Sequence, residues 1–182
     1  MVLFTLLTGC GSDPYKKGSL TEEEFQAGKQ TTLGSLKKTG WELDIPGNTF
    51  EDDEQISMRV LSENEAQIYQ SNGFTFYGTP VEIKLGEKEN VRLGEPVSIT
   101  LQIPEDLLKD LAADELFFAV YYDSGWEYFC PDEVDLDKGT ATVQVYHFSF
   151  FGFGKLSEDE QIKTFAKNYA ALQWESEKLT VS

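Results

Sequence analysis

The chain has 182 residues, about two-fifths of them apolar, which suffices for one core of roughly 100 to 150 residues plus extensions. Its 15 basic and 32 acidic residues leave a net charge of -17, a balance that repels nucleic-acid phosphate and excludes nucleic acid as a partner. No phosphate-cradling glycine loop, zinc-ligand spacing or serine-hydrolase elbow is present, so neither a cofactor nor a metal is expected.

Residues 1–9 form an apolar run ending in small residues, the expected end of a signal peptide. Leu7-Thr8-Gly9-Cys10 matches the bacterial lipobox residue for residue, which implies diacylglycerol transfer to the Cys10 thiol and cleavage before it. No Lys or Arg precedes the run and it is short for a signal peptide, as expected if translation starts upstream. The expected location is therefore the cell envelope, with lipid anchoring the chain on the extracytoplasmic side of a bacterial membrane. With Cys10 acylated, Cys130 is left without a disulfide partner, and stability must come from packing.

Residues 10–40 read as the lipidated N-terminus and a flexible spacer rich in Gly, Ser, Thr and charge. A capping box of Thr21 and Glu24 adds at most one helical turn there. From Trp41 the texture changes to short segments of period-two apolarity separated by turns, so residues 41–154 are expected to form an antiparallel, immunoglobulin-like β-sandwich. Ile56, Met58 and Val60 alternate with polar residues, and Ala66 to Gln70 leads through Asn72-Gly73 into Phe74-Thr-Phe-Tyr77 as a hairpin. Further strands are expected over Val81 to Leu85, Pro96 to Ile103, Leu116 to Asp123, Trp126 to Cys130 and Thr140 to Phe151, with a short helix after Pro104.

Residues 155–182 switch period. Ser157 and Glu160 form a capping-box signature, and Ile162, Phe165, Ala166, Tyr169 and Ala170 fall on one face of an amphipathic helix expected over 157–175. That face needs a cover, either the sandwich or a region that follows.

The stretch from Trp41-Glu-Leu-Asp-Ile-Pro-Gly through Val97-Ser-Ile-Thr-Leu-Gln-Ile-Pro104 and Tyr121-Tyr-Asp-Ser-Gly-Trp-Glu-Tyr128 to His147-Phe-Ser-Phe-Phe-Gly152 resembles a known family. It is similar to the ZU-five domain of zonula occludens proteins, netrin receptors and ankyrins, in the form carried by many bacterial lipoproteins. The resemblance implies a β-sandwich used as an interaction module, not a catalyst of small-molecule chemistry.

Candidate chemistry is sparse. Cys130 and His147, the one histidine, make a Cys-His pair conceivable, but the plainer expectation for Cys130 is a small, partly buried side chain in an aromatic strand. Asp132, Asp135, Asp137 and Gly139 resemble a calcium loop only in part, because the later bidentate carboxylate is missing, and a polar hairpin turn is expected. Glu51-Asp-Asp-Glu54 reads as a solvated loop. Within one strand, His147 and Ser149 would share a face beside the Phe148 carbonyl, the geometry of an acyl shift that cleaves between Phe148 and Ser149. Some proteins similar to this family self-cleave at that tripeptide, and the resemblance carries the roles of base and nucleophile to His147 and Ser149 alone.

The leading expectation is a membrane-tethered, non-enzymatic binding or structural module with a protein or glycan partner. The alternatives are a self-processing domain and a glycan-binding or carbohydrate-active fragment. Trp41, Tyr77 and Trp126 gathered on one exposed sheet face would favour glycan.

Overall fold

A computed structural model of the chain describes residues 20–68, 73–88, 91–109, 111–112, 115–122 and 125–166. In chain order the elements are β1 (Leu20–Phe25), β2 (Thr31–Ser35), α1 (Leu36–Thr39), β3 (Trp41–Ile45), β4 (Glu54–Val60), α2 (Glu63–Ile68), β5 (Phe74–Phe76) and β6 (Val81–Leu85). They continue with β7 (Arg92–Gln102), α3 (Glu105–Leu108), β8 (Phe117–Tyr122), β9 (Gly125–Phe129), β10 (Glu133–Asp135), β11 (Thr140–His147), β12 (Phe150–Leu156) and α4 (158–166).

The strands form two packed antiparallel sheets, the all-β sandwich expected from the period-two pattern, with a helix at the C-terminal end. The larger sheet has seven strands in the order β1-β4-β6-β12-β8-β9, with β5 joined to β12, and the smaller orders its five as β10-β11-β7-β3-β2. Alternation builds the core. Trp41, Leu43 and Ile45 of β3 point inward with Val97, Ile99 and Leu101 of β7 and Ala141, Val143 and Val145 of β11. They meet Ile56, Met58 and Val60 of β4, Val81, Ile83 and Leu85 of β6, and Phe118, Val120, Phe151 and Phe153 from β8 and β12. Each large apolar side chain buried this way contributes about 1.5–3 kcal/mol. Trp41 also ties the sheets together, its indole N–H donating to the Thr79 carbonyl at 3.1 Å just ahead of β6.

Several local expectations are corrected. The spacer does not extend to residue 40, because β1, β2 and α1 all belong to the sandwich. Phe25 and Leu33 are fully buried, and one apolar anchor per strand between polar runs left no alternation to read. Thr21 and Glu24 accordingly lie in β1 and not at a helix start. The segment ahead of Asn72 is not half of a hairpin: α2 covers Glu63–Ile68, and β5 pairs with β12 through Gly154↔Phe76 and Leu156↔Phe74. A capping box overlooked in the sequence explains α2. The Ser62 amide and hydroxyl donate to the Glu65 carboxylate at 2.9 and 2.7 Å, and the Glu65 amide returns to the hydroxyl at 3.4 Å.

The expected single strand over 140–151 is two strands in different sheets, β11 in the smaller and β12 in the larger, and β12 runs on to Leu156. Of the expected C-terminal helix, 158–166 is described and its continuation, with Tyr169 and Ala170, lies outside the described residues. Its apolar face is not fully covered: Phe165 meets Phe117 with ring centroids 6.3 Å apart, yet Ile162 and Phe165 stay more than half exposed. Among the described residues no helix is long and apolar enough to cross a membrane.

Candidate functional site

The lipobox, Leu7, Thr8, Gly9 and Cys10, lies outside the described residues. The His147-Phe148-Ser149 tripeptide is described, and it is the passage from one sheet to the other. His147 ends β11 after a register shift and stands opposite Arg92, while Ser149 precedes β12. The same-face geometry of a single strand therefore does not apply to this pair. The passage is fixed by backbone bonds on both sides: the Phe148 amide donates to Val91 O at 2.8 Å, and Ser149 O accepts from the Ile83 amide at 2.9 Å. Phe148 is fully buried against Phe50, and the imidazole of His147 stacks on Phe151 with ring centroids 6.0 Å apart. Ser149 is buried and its hydroxyl donates to the Tyr121 carbonyl of β8. An acyl shift would have to withdraw that proton from an existing hydrogen bond and turn the oxygen towards the Phe148 carbonyl.

Cys130 is exposed just past β9, where a partly buried thiol was expected, because β9 is the last strand of its sheet and ends one residue earlier. Two of the aspartates around the β10–β11 turn, Asp135 and Asp132, spend carboxylate oxygens internally. Asp135 accepts from the Lys138 amide at 2.9 Å and pairs with its ammonium at 2.7 Å, and Asp132 accepts from the Gln144 amide at 2.6 Å. In the acidic loop, Asp53 accepts from the Ala27 amide at 2.8 Å. Among the described residues no group of His, Cys, Asp and Glu is arranged to hold a metal ion.

The aromatic residues behave differently. Trp41 is 1 % exposed in the core, and Tyr77 packs edge-on against Phe153, so these two form no platform with Trp126. Trp126 instead belongs to a second apolar cluster on the outer face of the larger sheet. There Phe74, Phe117, Ala119 and Leu156 are buried, with Phe76, Trp126 and Tyr128 packed against them. The rings interlock, Phe74 stacking on Tyr128 at 5.2 Å and Trp126 meeting Phe76 at 5.5 Å and Tyr121 at 5.3 Å edge to face. Such pairs contribute about 0.5–1.5 kcal/mol each beyond their buried area.

Two glycines make room for this layer. A Cβ on Gly152 would overlap the Phe76 ring, and one on Gly154 would overlap the Thr75 carbonyl oxygen. Where the layer ends, a cleft of about 380 Å³ opens between residues 126–129 of β9 and the Glu160, Lys163 and Thr164 side of α4. Lys163 pairs with Glu160 three residues earlier on the helix, and that carboxylate raises the lysine's affinity for its proton. The cleft thus has the aromatic strand β9 on one side and the Glu160–Lys163 ion pair with Thr164 on the other. Sequence reasoning picked out Trp126 but not the cleft, since β9 and α4 are thirty residues apart and only the fold joins them.

No protein-family model matches the chain, and no curated protein matches it.

Proposed function

We propose that the chain is a lipid-tethered, non-enzymatic binding module on the extracytoplasmic side of a bacterial membrane, similar to the ZU-five domains of bacterial lipoproteins. The observation that carries this reading is the layout of the larger sheet. β1, which follows the spacer from Cys10, forms one edge, and β9 with its cleft forms the other. Five strand spacings separate the two, about 24 Å at 4.8 Å each. A tether at one edge leaves the opposite edge turned to whatever approaches the membrane. The Ser149 hydroxyl, engaged by Tyr121, supports a structural role for the His-Phe-Ser passage in preference to self-cleavage.

Metabolic labelling with a fatty-acid analogue in a bacterial host is expected to mark the wild type and not Cys10→Ala, and equal labelling of both would remove the tether. Intact mass spectrometry after prolonged incubation at neutral pH is expected to show one uncut chain. A fragment beginning at Ser149 that vanishes in Ser149→Ala would overturn the non-enzymatic reading.

A further inference from the structure

The backbone groups on the open side of β1 are fixed by the ladder beside it. The Gly86 amide donates to Gln55 O at 2.7 Å, so Gln55 of β4 turns its backbone towards β6. Successive residues of a strand point their N–H and C=O to opposite edges, so Ile56 and Met58 turn theirs towards β1, where they stand opposite Glu23 and Thr21. Glu22 and Glu24 therefore present their own N–H and C=O outward, and among the described residues β1 pairs with β4 alone. Such a row of backbone donors and acceptors along an extended chain is a template for one more strand.

We infer that this edge takes an extended segment of a protein partner, with lysine or arginine at alternate positions, as a further strand of the larger sheet beside β1; this rests on the reading of the domain as a binding module and assigns it a second edge. Charge selects that occupant. Glu22, Glu23 and Glu24 are all exposed, and alternation puts Glu22 and Glu24 on the face away from buried Phe25. Residues directly opposite in an antiparallel pair share a face, so basic residues at i and i+2 of the incoming strand meet Glu22 and Glu24 while its backbone exchanges bonds with theirs. The same glutamates reject the alternatives. A second copy of β1 would set carboxylate against carboxylate, and a chain at -17 repels both its own copy and any acidic segment. Charges that turn away neutral and acidic strands at an edge are what make a basic one specific.

The test is calorimetric titration of the full chain with a short capped peptide of alternating lysine and threonine, read together with backbone amide NMR. Two control peptides keep that sequence, one with its lysines acetylated and the other with its interior amides N-methylated. Saturable binding of the parent peptide is expected, weakening as salt rises, with amide shifts centred on Glu22 and Glu24. The acetylated peptide should bind at least about fivefold more weakly for the lost charge, and the N-methylated one at least about tenfold more weakly for the lost ladder bonds. Glu22→Gln combined with Glu24→Gln should weaken binding about fivefold without moving the thermal transition, whereas Glu158→Gln with Asp159→Asn, at the exposed start of α4, should leave binding unchanged. Binding of the N-methylated peptide as tight as the parent would reduce the effect to diffuse attraction by an acidic chain. That result, equal binding of the acetylated peptide, or no saturable binding by a folded chain overturns the proposal. A concentration-dependent dimer that shifts the same amides would give the edge to a second copy and overturn it as well. None of these removes the binding-module reading, which falls instead if Cys10→Ala labels equally or the chain is cut at Ser149.

Discussion

The outer faces of the two sheets contrast sharply. On the smaller sheet, register aligns Glu42, Thr100, Thr142 and Glu133 in one row and Thr32, Asp44, Ser98 and Gln144 in the next. These side chains are polar and partly or fully exposed, and their contacts run sideways, as in the 3.0 Å hydroxyl pair of Thr100 and Thr142. On the larger sheet the corresponding face is covered by apolar rings at one end only. Glu82 lies buried between Arg59 at 2.9 Å and Lys84 at 3.0 Å, Arg59 also binds Glu65 of α2, and the aromatic layer occupies the β5, β8, β9 and β12 end. A strand covered once alternates, whereas a strand covered twice reads as a continuous apolar run. β3 and β11 are of the first kind, and Phe117-Phe118-Ala119-Val120 of β8 is of the second.

The contrast breaks most visibly at the glycines. Gly154→Ala forces a Cβ into backbone, which cannot yield as a side chain can, and should cost about 3 kcal/mol or more in urea unfolding. Phe76→Ala, which empties the layer from the other side, should cost about 2–3 kcal/mol, less than a full core truncation because the ring is only partly buried. If either variant matched wild type, the layer would be ornamental and the larger sheet effectively covered once.

Acid should move the two faces in opposite directions. Glu65, held at about 2 chiefly by the Ser62 hydroxyl and amide and then by Arg59, contributes stability at neutral pH that is lost as pH falls from 4.5 towards that value. Glu42 on the smaller sheet is pushed up, first by burial and then by the charge of Asp44, so its ionised form costs stability that is regained as pH falls through its raised value. Glu65→Gln should therefore be less stable than wild type at pH 7, by no more than about 1 kcal/mol since the carboxylate is 40 % exposed. Glu42→Gln should be more stable by a few tenths of a kcal/mol. Both gaps should close on acidification in denaturation curves of the three proteins. A common sign for the two substitutions would show that bulk charge, not local geometry, governs the response.

The smallest effect belongs to the polar rows. Thr100→Ala removes the hydroxyl contact with Thr142 at a site open to water, and should change stability by no more than about 0.5–1 kcal/mol. A larger loss would mean that the polar face carries structural weight comparable to the aromatic one.

How far the sequence revealed the fold follows from the same physics. Strands with one dry face, such as β4, β6 and β7, announce themselves by alternation, and the sandwich was legible from them. β1 and β2 were not, because Phe25 and Leu33 are lone anchors in polar runs whose burial depends on partners far along the chain. The break between β11 and β12 was hidden because apolar residues continue through it: Phe148 serves the core of the passage and Phe151 the core of the next sheet. Of the site, Trp126 was visible as a residue, whereas the cleft required the pairing of β8 with β9 and the placement of α4. The signal that was present and unread is Ser62-Glu-Asn-Glu65, whose capping spacing announces α2.

The opposite placement of β1 and β9 has a mechanical consequence. A pull applied between Leu20 and β9, as the proposed tether and a partner at the opposite edge would apply it, would run across the strands in line with the ladder hydrogen bonds, so these would open one pair after another instead of resisting together. The first to open lie between β1 and β4. Five of the six β1 residues are partly or fully exposed, and only Phe25 at the far end is buried, holding about 2–3 kcal/mol of apolar contact. Peeling the five residues ahead of Phe25 would add about 17 Å at 3.4 Å per residue and stop at Phe25, before the load reaches β2 of the smaller sheet. On the proposed lipid tether the acidic edge strand would act as an extensible link, yielding under force before the β9 edge is disturbed.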